Sequence, residues 1–597
     1  MFPHGESEPQ IPDSEPKASG SDRTSESRCP HTEQHVLRQR ISHQLVELDR
    51  EEEEYIKSIN RKRLELKRLW NSTLLIHKLP SELLIQVFTN LPDYFGASNP
   101  KPSSRSISGE GVSADAPPIT RWPSLMLVCR YWRGVLVSTA TFWRVINTRR
   151  HIDSTKLSLA RSAAASLVVH IWDGDRCPLD MLYPYVHRFQ KLFVTLSDWH
   201  AQGVLEPLFG SGMPLLEDLD LSDSTVGRQL AQTTDLDHYL TSRGFPRLQK
   251  LDLSQVVLPR DPSLYAQLRA LSLWRCSHNS SFDGFLDTLA GCVQLEELTL
   301  EHTFNGLSGE WQPIPRRPPI PLPLLRSFWL NHSGTVCASR FLAHLLIPAS
   351  AHLTVMGDTL RDDGTGPDTV VHTLGALLPP PRAKTLPILS MATKISAWIM
   401  SEQWSTNVTS SIASPGDGGQ GADALFTLFI DDNNIWDPWM AHGLNDLAEC
   451  FTGSPLTCLE LSGDHSCATV AAWKRVFRTF PLLEELVVGP GRYSELSKVF
   501  LGLHVASYDD RSEYTPAVAC PNLRLVWAGG VGTEGTYAAL RECFRCRADR
   551  GSRLGVLDLS MLSEGEELTL ELRCIYVEDL RQAVECVLVK NNQPDEE

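Results

Sequence analysis

The stretch Phe245-Pro-Arg-Leu-Gln-Lys-Leu-Asp-Leu-Ser254 decides the fold. Pro246 fixes a turn, and Leu248, Leu251 and Leu253 then fall in the phrase Leu-x-x-Leu-x-Leu, the signature of a short strand with one buried face. The phrase recurs at Phe189/Leu192/Val194, Leu216/Leu219/Leu221, Leu268/Leu271/Leu273, Leu295/Leu298/Leu300 and Leu325/Phe328/Leu330. After a gap it returns at Leu456/Leu459/Leu461, Leu483/Leu486/Val488, a degenerate Leu523/Val526, and Leu554/Leu557/Leu559. In the first group the middle positions (192, 219, 251, 271, 298, 328) stand 27, 32, 20, 27 and 30 residues apart. Met213-Pro-Leu-Leu-Glu, Phe480-Pro-Leu-Leu-Glu and Cys520-Pro-Asn-Leu-Arg open on the same proline turn. One strand per unit, with a return helix or loop, is the arrangement in which neighbouring units stack over a continuous core.

This irregular repeat resembles leucine-rich repeats. The resemblance implies a curved, imperfect solenoid of parallel strands over residues 160–597, with the repeat leucines structural. Ala338 to Gly421 is the least repetitive stretch, and Ser414 to Gly421 is expected to be a mobile excursion.

Ahead of the array the composition changes twice. Residues 1–34 are rich in Ser, Glu, Pro and Asp and predict a disordered tail. Over residues 35–71, Ile41, Leu45, Leu48, Tyr55, Ile59, Leu66 and Leu69 form one heptad seam, interrupted only by Glu52 and Lys62. That spacing predicts a long coiled-coil helix, with Glu53 and Lys57 paired at i,i+4 and with self-association through residues 36–70 open to it.

His77-Lys-Leu-Pro-Ser-Glu-Leu-Leu-Ile-Gln-Val-Phe-Thr-Asn-Leu-Pro92 follows. Pro80 and Glu82 suit a first helical turn, and Leu83, Leu84, Val87 and Phe88 line one face. A Ser/Pro-rich insert at 93–120 precedes a second expected helix from Trp122, with Leu125, Val128, Cys129 and Trp132 at i, i+3, i+4 and i+7 and with Trp143 closing the segment. Two short amphipathic helices make too small a core to stand alone, so the unit wants a partner.

His77 to Ile146, within a module set at residues 72–148, resembles the F-box motif in the form common in fungal proteins, the long insert being the departure. The resemblance implies docking on a Skp-type adaptor of a cullin ligase core through Leu79, Pro80, Leu83, Leu84, Val87, Phe88, Leu125, Val128, Cys129, Trp132 and Trp143. The expected fold class is α+β: tail, coiled-coil helix, small helical F-box module, then an irregular leucine-rich-repeat α/β solenoid.

The 597 residues carry a formal charge of −16 and a pI near 5.7, which disfavours general attraction to nucleic acid or anionic membranes. Fourteen scattered cysteines, no apolar signal core and no membrane-spanning run predict a reducing cytoplasmic or nuclear compartment. Gly416, Gly418 and Gly421 match G-x-G-x-x-G without the strand before or helix after that a phosphate site needs. Cys543 and Cys546 form a C-x-x-C with no second pair for zinc. Asp431, Asp432, Trp436 and Trp439 make an acidic, aromatic cluster, read as loop and packing residues first and as a substrate grip second. No catalytic motif, cofactor or metal site is expected. The reading is a substrate-recognition adaptor of a Skp–cullin–F-box ubiquitin ligase that holds a protein substrate on its repeats. The alternative is a non-catalytic scaffold that self-associates through the coiled coil and never joins a ligase.

Overall fold

The computed structural model describes residues 30–90, 122–172, 178–196, 205–223, 236, 239–277, 281–304, 317–332, 335–358, 374–380, 382–400, 405–411, 426–431, 439–490, 495–507, 518–562 and 570–590. The tail up to residue 29, the insert 93–120 and Ser414 to Gly421 lie outside them. The chain divides into two compact units, Met1–Leu136 and Val137–Glu597, the boundary falling inside the 72–148 span.

In the first unit a single helix runs Pro30–Thr73, starting ahead of the expected boundary at 35. Pro30 suits its first turn, where no backbone N–H is needed. Lys57 pairs with Glu53 at 2.7 Å, as the i,i+4 spacing predicts. A 3-10 turn, Leu75–Lys78, leads to the helix Ser81–Thr89, with Pro80 at its N-cap in an extended conformation, one position earlier than expected.

The expected single helix from Trp122 is two pieces. A 3-10 segment, Trp122–Leu127, stops before Cys129, and the α-helix is Arg130–Ser138. Cys129 explains the break: its Sγ accepts the Trp132 backbone N–H at 3.4 Å while its carbonyl accepts from Arg133, so it caps the new helix rather than continuing the old one.

The second unit is mixed helix and strand around a large, mostly parallel sheet of seventeen strands. Its first strand, Val145–Asn147, pairs with Leu167–Trp172, and each later strand adds beside its predecessor up to Ser327–His332 and His352–Asp358. Beyond the inset described below, Cys458–Gly463 resumes the order through Glu485–Pro490, Leu525–Val531 and Leu554–Leu562 to Val584–Lys590. Strand position follows from the turns. Leu216, Leu248, Leu325, Leu483 and Leu523 each donate a backbone N–H to the residue three earlier, closing a turn with proline at its second position.

From Phe189–Leu196 through to Ser327–His332 the registers are unshifted, so equivalent side chains form continuous rows. Leu192, Leu219, Leu251, Leu271, Leu298 and Phe328 are adjacent in one buried row, and Val194, Leu221, Leu253, Leu273, Leu300 and Leu330 in the next. Helices cover this face. Trp439–Cys450, Val470–Thr479, Ser497–Ala506, Glu534–Asp549 and Leu570–Ala583 pack in succession behind the C-terminal strands. The 20-residue spacing between Leu251 and Leu271 is met by a short return, the five-residue helix Pro262–Ala266.

The interrupted stretch hides an inset. The chain leaves His352–Asp358, lays down Lys394–Met400, and then fills the space between them backwards with Ser405–Ser411 and Phe426–Asp431. Lys394–Met400 then carries Cys458–Gly463 on its other edge. Among the described strands of this sheet only Ser405–Ser411 runs antiparallel to its neighbours. The buried rows pass through it via Val408 and Ser410. Gly463 closes the junction at φ +145°, where any Cβ would collide with the Ile399 carbonyl oxygen.

Candidate functional site

The described part of the N-terminal unit is held together by a small aromatic contact. Phe88, wholly buried, meets the Trp132 ring edge-on at 4.8 Å, and His77 stacks beside Trp132 at 6.3 Å. Tyr131 Oη donates to the Leu79 carbonyl at 3.2 Å, and the Cys129 thiol lies 3.8 Å from His77 Nε2. These contacts fix Arg130–Ser138 against the segment 77–88. They consume Leu84, Phe88 and Leu125, which are buried, and partly consume Leu79, Cys129 and Trp132. Trp143, also buried, belongs to the second unit, where Arg161 lies over its ring at 4.5 Å.

Pro80 and three apolar residues remain exposed: Leu83 (45%), Val87 (43%) and Val128 (54%). Sequence reasoning missed two more, Leu127 (77%) and Tyr131 (40%). The signal was available, since Leu127-Val-Cys-Arg-Tyr offers more apolar surface than one helix face can hide. Leu83 and Val87 lie one turn apart on Ser81–Thr89, while Leu127 and Tyr131 flank the break ahead of Arg130–Ser138. Scattered exposed leucines mean little, but five exposed apolar residues on one small unit make it the first candidate surface.

A second candidate surface is the open face of the sheet, carried by the residues between the buried leucines. One row reads His170, Phe193, Asp220, Asp252, Ser272, Thr299, Trp329 and Thr354. It continues through the inset with Thr427, Thr409 and Ser396 to Glu460. His170 stacks on Phe193 at 4.5 Å, and burial pushes its imidazole down to about 4, so this end of the row is neutral. Farther along, Glu460 accepts from Lys394 and from Ser396 Oγ, both at 2.5 Å. Trp398, two residues from Ser396 on the same face, is 61% exposed. It too was missed, although the alternation Ile395, Ala397, Ile399 inward requires Lys394, Ser396 and Trp398 outward.

The sequence-derived acidic, aromatic cluster is described only in part. Asp431 ends the strand Phe426–Asp431 and Trp439 opens the helix Trp439–Cys450, while Asp432 and Trp436 lie outside the described residues. Cys543 and Cys546 share the helix Glu534–Asp549, and burial pushes the Cys543 thiol up to about 12, as it does those of Cys276, Cys292, Cys450 and Cys520. Such thiols are poor nucleophiles and poor metal ligands. Among the described residues no group of three or more His, Cys, Asp or Glu is placed to hold a metal, and no helix is long and apolar enough to cross a membrane. No family model and no curated protein matches the chain.

Proposed function

We propose that this chain is a substrate-recognition adaptor of a Skp–cullin–F-box ubiquitin ligase. Residues 72–148 dock on the Skp-type adaptor, and the second unit, a leucine-rich-repeat solenoid, holds the protein to be modified on its open strand face. Catalysis then resides in other subunits, and this chain acts by raising effective concentration. The observation that carries the reading is the exposed apolar set Leu83 and Val87, on the helix Ser81–Thr89, with Leu127 and Val128, just ahead of the helix Arg130–Ser138, in a stretch whose sequence resembles an F-box. Such side chains gain about 25 cal/mol per Å² on burial, against association costs that keep docking reversible.

The test is capture of a purified Skp-type adaptor by the full-length chain. Leu83→Asp with Val128→Asp should abolish capture while leaving the thermal melt unchanged, because neither side chain is buried in the unit. Leu79→Ala with Pro80→Ala should also abolish it. Undiminished capture by the first pair, or no capture by the natural chain, refutes the reading. The scaffold alternative is favoured by the exposed seam of the long helix, and it expects no capture by any variant.

A further inference from the structure

Among the described residues nothing covers the apolar seam of the helix Pro30–Thr73. Exposure runs from 47% at Ile41 and Ile59 through 56% at Leu45, 59% at Leu48 and 62% at Leu69 to 68% at Leu66. Helices draw most of their stability from burying such a stripe, so a bare seam of this length needs a mate. The two charged residues on it say which mate. Taking Leu45 as a and Leu48 as d, Glu52 falls at a and Lys62 at d.

A parallel, in-register pair of copies would set Glu52 against Glu52 and Lys62 against Lys62, two like-charge layers in the core. An antiparallel pair mixes a with d. With its two-fold axis at Lys57, Leu45 meets Leu69, Leu48 meets Leu66, Tyr55 meets Ile59, and Glu52 meets Lys62 in two symmetric layers. Sliding either copy by one heptad puts both charges opposite Leu, Ile or Tyr, so this register alone pairs them. The flanks agree on one side: Asp49 falls opposite Arg63, and Ile56 packs on its own copy across the axis. On the other side Glu51 faces Glu65 at the solvated rim, where a like-charge contact costs little.

We infer that two copies of this chain associate through residues 41–73 as an antiparallel two-stranded coiled coil, oriented and registered by reciprocal Glu52–Lys62 pairs. The overlap is about 50 Å long at 1.5 Å per residue. Buried ion pairs of this kind set register and orientation rather than add strength.

Sedimentation equilibrium of the full-length chain tests the inference without reference to any ligase partner. The natural chain should run at twice 66.6 kDa. Glu52→Lys and Lys62→Glu, each alone, convert both mixed layers to like charges and should weaken the dimer about a hundredfold or more. The double variant Glu52→Lys with Lys62→Glu restores opposite charges and should recover the natural affinity, which also rules out misfolding as the cause of the single losses. A natural chain that stays monomeric at tens of micromolar overturns the inference. So does a dimer indifferent to either single reversal, the result a parallel pair would give, or a double variant that fails to recover.

Discussion

The two units spend similar apolar residues to opposite ends. In Val137–Glu597 the leucines of each strand meet those of the next, and the buried rows leave almost none of their side chains in water. In the described part of Met1–Leu136 the same kinds of residue stop halfway: Leu84 and Phe88 are hidden, while Leu83, Val87, Leu127 and Val128 are not. Strands that add side by side can bury one another's leucines row by row, whereas two short helices make too small a core to hide all of theirs.

That contrast can be broken in several places. Trp473, wholly buried and stacked on Phe477, should cost about 3–5 kcal/mol as Trp473→Ala, read as a lowered denaturation midpoint of the second unit. Arg547 is buried yet charged, and donates to the carbonyls of Ala519 and Cys520 ahead of the strand Leu525–Val531. Replacing it with Met leaves both carbonyls without those donors, and a loss of about 2–3 kcal/mol in chemical denaturation is expected.

Acid should act on the same core. His465 is wholly buried, its Nε2–H donates to the Gly489 carbonyl, and burial pushes its imidazole down to about 4. The unfolded chain takes up that proton near pH 6.5, so the stabilisation is full above that value and fades as pH falls toward 4, by about 3 kcal/mol in all. Denaturant midpoints measured from pH 7 to 4 should show this slope, and His465→Asn should lessen it, leaving the share of His170, whose imidazole burial also pushes down to about 4. The smallest effect is the sharpest contrast: Leu127→Ser, at an exposed leucine, should change stability by no more than about 0.5 kcal/mol. A larger loss would mean that the leucine is already covered within the chain.

Much of this was legible in the sequence because one phrase encodes both the turn and the strand. Met213, Phe245, Phe480 and Cys520 each begin the expected turn, and the last two positions of every complete phrase lie on a strand. The inset was not legible. Ser405-Thr-Asn-Val-Thr-Ser-Ser411 offers only Val408 as a large inward residue, and it is a strand because neighbours on both edges complete its hydrogen bonds. The helix break at Val128–Cys129 was hidden for a related reason: apolar spacing continues across it, and only the thiol cap reveals the stop. At the front, sequence spacing placed the apolar residues but did not divide them. Leu83 and Leu84 are chain neighbours of one type, yet Leu84 is buried and Leu83 is not.

The reversed strand has a mechanical consequence. Pulled from its C-terminus, the array can peel one strand at a time, because each departing strand has a free outer edge. After Cys458–Gly463 the chain leads not to the new edge, Lys394–Met400, but to Phe426–Asp431, clamped between two neighbours. Unravelling must pause there until three strands rupture together, so a force–extension trace should show small regular steps and then one tall peak.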